Sequence, residues 1–172
     1  MKKYFVICLA LMVSSAGFAQ KENPLVGVWQ QAVGADQTTL TIGPNGKVFM
    51  PDGRVFGYFL NPTEFDKYED FNFGPWLFAN YEVTSDSTYT ENVFLHNDKG
   101  WECTINFHYQ LLNSRTILAY YDHTYPDGSV RTIIDLWIKA VYDPEEQKAI
   151  IKKVSDNWDE YIKEAKKLYG RE

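Results

Sequence analysis

The sequence predicts an all-β, antiparallel, up-and-down sheet followed by one C-terminal helix. From Leu25 to about Val141, runs rich in Val, Ile, Thr, Phe, Tyr and Trp are separated by turn residues, the punctuation of a β protein. Two of the longer runs alternate apolar with polar side chains, the period of a strand with one buried face. After Val141 the apolar spacing changes to three and four residues, the period of a helix. At 172 residues a single domain is expected, because domains commonly run to roughly 100–200 residues.

Residues 1–19 stand apart from this pattern. Lys2 and Lys3 precede an apolar run from Tyr4 to Val13, and small residues follow up to Gly17-Phe18-Ala19. That is the layout of a secretory signal peptide cleaved after Ala19, and it predicts a periplasmic or secreted protein. Removing 19 of the 172 residues leaves 153, and losing Lys2 and Lys3 takes the formal charge from −6 to −8. Nucleic acid and anionic membranes both need a basic surface, so neither is expected as a partner. No later apolar run approaches the roughly 20 residues that span a bilayer, so no membrane insertion is expected. Cys8 follows Phe5-Val6-Ile7 rather than a small residue and does not resemble a lipoprotein acylation site. Only Cys103 survives maturation, which leaves no partner for an internal disulfide. A domain of this size buries around 70% of its unfolded surface and can stand on its core alone.

Nine strands are predicted, at about 25–33, 38–42, 47–50, 54–60, 76–84, 87–96, 101–112, 115–122 and 129–141. Pro44-Asn45-Gly46, Pro51-Asp52-Gly53 and Pro126-Asp127-Gly128 each read as a turn. Pro presets φ near −65°, Asn or Asp tolerates the bent position, and Gly takes positive φ. Asn97-Asp98-Lys99-Gly100 and Asn113-Ser114 read as two further hairpin connections. In 101–112 the alternation places Trp101, Cys103, Ile105, Phe107, Tyr109 and Leu111 on the apolar face. In the last strand Val130, Ile134, Leu136, Ile138 and Ala140 form one face, against Arg131, Asp135, Trp137 and Lys139. Such alternation predicts a half-buried antiparallel sheet.

One long connection, Asn61 to Pro75, interleaves Glu64, Asp66, Glu69 and Asp70 with Phe65, Tyr68, Phe71 and Phe73. Loops of this length tend to be functional or disordered, and the aromatics favour an ordered lid or a short helix. Beyond Val141, Asp143 is a cap, Pro144 suits the first helical position and Glu146 lies three residues after the cap. Ile150, Val154, Trp158, Ile162, Ala165 and Tyr169 then give one apolar stripe, predicting a helix of about 25 residues that packs on the sheet.

Catalytic patterns are sparse. His96, His108 and His123 read as solvated, and neither a metal-binding spacing nor a nucleophile elbow nor a phosphate loop is present, so no cofactor or metal is expected. Two carboxylates can suffice for a glycosidase, and Glu82, Glu91 and Asp135 lie within strands; burial in a lumen would raise the pKa of any of them. Water-facing or Arg- and Lys-paired carboxylates are the plainer expectation. Cys103, on the apolar face, is expected to be a buried, inert hydrophobe. Aromatics are abundant: the mature chain keeps 5 Trp, 11 Tyr and 9 Phe. Strands favour these residues for packing, but Trp76, Tyr89, Tyr109, Tyr120 and Tyr121 also pair a flat body with a polar tip, which suits a ligand pocket.

The opening Leu25-Val26-Gly27-Val28-Trp29 resembles the Gly-x-Trp start of the lipocalin and fatty-acid-binding (calycin) barrels. With the leader, the Pro-Asp-Gly turn and the late Trp137-Ile138-Lys139, the layout is similar to lipocalin-like domains of uncharacterised exported bacterial proteins. The resemblance implies an up-and-down barrel of 8–10 strands over residues 20–142, with the 143–170 helix packed on it. It gives Gly27, Trp29 and Lys139 the role of closing one barrel end, Lys139 standing where an arginine is usual and so lacking its planar stacking surface. Lipocalins add a strand after their helix, whereas here the helix is the last element, so a closed and a half-open barrel both fit.

A barrel of about eight strands leaves room for filling side chains or one small ligand. The leading expectation is a non-catalytic carrier of a small hydrophobic or aromatic molecule, with Trp76, Tyr89, Ile105, Phe107, Tyr109 and Tyr120 against the ligand. A protein-interaction or inhibitor module using the acidic, aromatic 61–75 segment is the alternative, and a carbohydrate-active enzyme using Glu82 or Glu91 is a third reading.

Overall fold

The computed structural model describes residues 23–34, 40–59, 74–125 and 127–171. The expected signal peptide, residues 1–19, and most of the 61–75 segment therefore lie outside the described residues. Eight antiparallel strands form a closed barrel in sequence order: β1 (Gly27–Gly34), β2 (Leu40–Phe49), β3 (Arg54–Phe59), β4 (Gly74–Ser85), β5 (Thr88–His96), β6 (Thr104–Asn113), β7 (Thr116–Thr124) and β8 (Val130–Lys139). Closure comes from β1 pairing with β8, from Trp29 opposite Lys139 to Ala32 opposite Leu136. Of the two layouts the sequence allowed, the barrel is the closed one, which removes the exposed edges an open sheet would carry.

Eight strands stand where nine were expected, because Pro44-Asn45-Gly46 is not a turn. The predicted strands 38–42 and 47–50 merge into β2, and pairing with β1 jumps from Gln30 opposite Gly46 to Ala32 opposite Ile42. Proline has no N–H to give a ladder, and a bulge accommodates it without ending the strand. Gln30, only 2% exposed, serves the bulge by donating from Nε2 to the Asn45 carbonyl at 2.7 Å and to the Gly43 carbonyl. Gly46 is required by its neighbour, since a Cβ there would lie 2.1 Å from the Tyr58 ring. The other two Pro-Gly segments do reverse the chain, with Gly53 and Gly128 at φ of +86° and +82°. Near Asn97, a 3-10 turn over Lys99–Trp101 links β5 to β6, its first residue preceded by an Asp98 cap.

The apolar side chains form two cores. One fills the barrel interior with Trp29, Phe49, Tyr81, Tyr89 and Phe107 among others. The second lies between the outside of the barrel and helices α1 (Pro144–Asp156) and α2 (Trp158–Leu168). It joins Val48, Phe56 and Phe78 of the strands to Ile150, Val154 and Ala165 of the helices. This two-sided burial explains why Val55-Phe56-Gly57-Tyr58 is a continuous buried run, while β6, with its outer face solvated, alternates cleanly.

The helical stripe is as expected but is carried by two helices rather than one. Asp143 accepts from the Glu145 and Glu146 N–H groups at 2.9 Å each. The break falls at Asn157, whose side-chain amide donates to the Lys153 carbonyl at 2.8 Å, a local bond that competes with the helical ladder. Helix α1 lies on β1 and α2 on β4. Trp158 anchors the junction, edge-on to Phe78 at 5.2 Å and beneath the Arg54 guanidinium at 4.8 Å.

In β8 the apolar reading is inverted. Ile134 is 67% exposed and Val130 59%, while Trp137 is buried and Ile133 packs against the interior core. The aliphatic residues cover the outer surface, and the mixed face of Asp135, Trp137 and Lys139 turns inward. Cys103 likewise departs from expectation: it lies exposed, one residue before β6 begins, so the alternation does not carry it inward. If α1 and α2 are part of the folding unit, Trp158→Ala lowers stability by about 2–4 kcal/mol, below the roughly 3–5 kcal/mol of a fully buried aromatic because Trp158 is half-buried. A urea-unfolding midpoint indistinguishable from wild type would show that the helices are docked without contributing.

Candidate functional site

Trp29, 1% exposed, packs in the interior core where β1 closes on β8. Its indole Nε1 donates to the Leu25 carbonyl at 2.7 Å, and Lys139 Nζ stands 4.9 Å from its ring centroid, within cation–π range. Gly27, at φ +147°, leaves room for this contact: a Cβ would lie 3.0 Å from Lys139 Nζ and 2.8 Å from Gln147 Oε1. Lys139 Nζ also reaches the Gln147 side chain of α1 and the Val26 carbonyl, both at 3.4 Å, tying the helix to the start of β1.

Elsewhere in the barrel lies a cavity of about 370 Å³. Its apolar wall includes Trp76, Trp101, Phe107, Tyr121, Ile133 and Trp137. Trp76 is fixed because β3 and β4 shift register beside it, and its indole Nε1 donates to the Tyr58 carbonyl at 3.0 Å. Tyr121 is buried in this wall, and burial raises its hydroxyl pKa, keeping it a neutral donor.

Polar groups are set into that wall. Lys47 and Glu91, 4% and 0% exposed, pair across the interior, Nζ to Oε1 at 2.7 Å and to Oε2 at 2.8 Å. The ammonium also faces the rings of Phe107 at 5.2 Å, Trp137 at 5.4 Å, and Phe49 and Trp76 at 5.9 Å each. Tyr89 is buried close to Glu91, and its pKa is held well above the usual phenol value by burial first and by that carboxylate second. Asp135 also lines the cavity. Its Oδ1 accepts from Gln31 Nε2 at 2.7 Å, and Gln31 Oε1 in turn accepts from Asn45 Nδ2 at 3.0 Å. Burial pushes the Asp135 carboxyl up, opposed by the Lys47 charge and the Gln31 hydrogen bond.

His96 is part of the same wall rather than solvated, being 8% exposed and edge-on to Trp76 at 5.4 Å. Its Nδ1 accepts the Asp98 N–H at 2.9 Å, which places the proton of the neutral ring on Nε2, and burial lowers its pKa to about 4. His108 is exposed and stacks on Tyr120, and His123 stacks on Trp101 at 3.9 Å between centroids.

Of the residues expected against a ligand, Trp76, Ile105 and Phe107 line the cavity. Tyr89 and Tyr109 are buried but lie outside its lining, with Tyr89 stacked on Phe107 at 4.6 Å and edge-on to Tyr109 at 5.7 Å. Tyr120 is a correction: it is 42% exposed on the outer surface, because the β7 alternation turns Ala119 and Tyr121 inward. Glu82 and Glu91 do not form the carboxylate pair of a glycosidase, since Glu82 is exposed on the outside of β4 while Glu91 is buried inside. The sequence reading missed Lys47, Gln31 and His96 as cavity residues. Among the described residues no group of three or more His, Cys, Asp or Glu side chains could hold a metal ion, and no helix is long and apolar enough to cross a membrane.

The chain resembles solved structures of bovine odorant binding protein. It is 17% identical to that protein in complex with undecanal, covering 80% of this chain and 85% of the other, with a TM-score of 0.40. The same values hold for the bovine protein bound to its natural ligand. For its deswapped triple mutant the identity is 16%, the coverage 78% and 87%, and the TM-score 0.37. No protein-family model matches the chain, and no curated protein matches it by sequence. The barrel itself stands on the eight strand pairings described above.

The His96 imidazole sets a pH dependence. Its folded-state pKa lies below the unfolded value near 6.5, so between the two the unfolded chain binds the extra proton. Its contribution is full above about pH 6.5 and is lost as the pH falls toward 4, at up to about 1.4 kcal/mol per pH unit. His96→Gln, which keeps an acceptor for the Asp98 N–H, flattens the stability slope over that window in urea unfolding. An unchanged slope would contradict a neutral, buried imidazole.

Proposed function

We propose that this protein is an exported, non-catalytic carrier that holds a small hydrophobic or aromatic molecule inside the barrel. The observation that carries this reading is the 370 Å³ cavity, with aromatic walls and a few fixed polar groups. Ligand sites commonly have this composition, with volumes of roughly 300–1,000 Å³. The small volume favours a ligand of one or two rings or a short chain. The polar groups are already oriented by one another, Asn45 on Gln31, Gln31 on Asp135 and Lys47 on Glu91, so little ordering is left for binding to impose. The interior also explains why catalysis is not proposed. Glu91 is engaged by Lys47 through both oxygens, which leaves it poorly placed to act as a nucleophile or general acid.

The naphthol ring system suits a cavity of this size, and several tryptophans report on it directly. Titration with 2-naphthol is expected to quench tryptophan emission saturably with one site per chain. Ile133→Trp, which fills the cavity from β8, is expected to weaken that binding at least tenfold, about 1.4 kcal/mol. Phe94→Ala, a change on the outer surface, is expected to leave it alone. Equal binding in wild type and Ile133→Trp would place the ligand elsewhere and overturn the proposal.

A further inference from the structure

Among the described residues two carboxylates, Glu91 and Asp135, line the cavity, and their circumstances differ. Glu91 meets an ammonium, Lys47, through both oxygens, with four aromatic rings around the nitrogen at 5.2 to 5.9 Å. The protein has thus built, from its own residues, a binding arrangement for a primary amine: carboxylate on one side, ring faces on the others. Asp135 repeats half of it. It lines the cavity, accepts one hydrogen bond from the neutral amide of Gln31, and among the described residues pairs with no lysine or arginine. Trp101, Tyr121, Tyr125 and Trp137 line the same cavity.

The charge balance points the same way. Lys47 pairs with Glu91 while its charge also reaches Asp135, and His96 is a neutral ring, so the described cavity residues hold two carboxylates against one ammonium. A ligand carboxylate entering this space would meet a negative interior whose one ammonium is already occupied. A wholly apolar ligand would displace water from Asp135 and supply nothing in return, leaving a buried polar group with one partner where it could have two or three. A ligand ammonium would supply the missing cation, and the rings would share its charge as they do that of Lys47.

We propose that the cavity is selective for small aromatic or aliphatic amines in their protonated form, with the Asp135 carboxylate receiving the ammonium and Gln31 holding that carboxylate in place. This rests on the carrier reading above and deepens it by naming the ligand's charged group.

Three probes of one shape test it by calorimetry at neutral pH: 2-phenylethylamine, 2-phenylethanol and 3-phenylpropionate. The amine is expected to bind wild type at least tenfold more tightly than the alcohol, and the propionate more weakly than both. Asp135→Asn preserves the acceptor for Gln31 and is expected to abolish the amine's advantage while leaving the alcohol's affinity within about twofold. Equal affinity for amine and alcohol in wild type would overturn the amine assignment and leave the carrier reading standing. An amine preference that persists in Asp135→Asn would overturn the role of Asp135. Failure of all three probes, together with failure of 2-naphthol, would overturn both. The wild-type comparison of amine and alcohol decides the matter even if Asp135→Asn does not fold.

Discussion

The ion pair between Lys47 and Glu91 constrains the whole interior. Strand β2 and strand β5 are not neighbours in the barrel, so the pair spans the lumen rather than running along a sheet face. Two charges buried to 4% and 0% exposure lose most of their hydration, and neither is tolerable without the other. The strands must therefore close to the distance that brings Nζ within 2.8 Å of both carboxylate oxygens. Tyr89 and four aromatic rings complete the surroundings of the pair. Because the pair is self-neutralised, the chemistry of the adjoining cavity is set by other groups, chiefly Asp135 and the aromatic wall.

The closed barrel and the helices divide the remaining work. Trp29, under Lys139 and bonded to the Leu25 carbonyl, packs in the interior core outside the cavity lining. Helices α1 and α2 cover the outer face of the strands that carry Val48, Phe56 and Phe78, so those strands are buried on both sides. Strands β6 to β8 keep a solvated exterior among the described residues, and the cavity is lined from all eight strands.

Much of this architecture was legible in the sequence where a local signal had one physical meaning. Asp143-Pro144-Glu145-Glu146 opens a helix wherever it occurs, and the Trp101–Leu112 alternation has only one strand reading for Ile105, Phe107 and Tyr109. Errors arose where one signal serves two purposes. Pro44-Asn45-Gly46 has turn composition, yet a bulge uses the same residues, and only the Gln30 side chain and the Tyr58 ring distinguish the two. Reading it as a turn hid Lys47, which shares its strand face with Asn45 in the cavity lining. In β8 the aliphatic residues looked like the inner face because apolar usually means buried. The contrary signal was present: if Lys139 reaches an inward Trp29, then Trp137 and Asp135, at the same parity, must turn inward too. His96 was not legible, since its burial comes from Trp76 on β4, a contact no local pattern encodes.

A mutually dependent charge pair organises the interior, and a double-mutant cycle reads that dependence. Lys47→Met and Glu91→Gln each leave one buried charge alone and should destabilise by about 3–5 kcal/mol, while the double variant, with no buried charge left at that spot, should recover most of the loss. Urea unfolding of the four proteins supplies the coupling energy. A coupling of several kcal/mol is the result predicted; single losses that simply add in the double variant would contradict it.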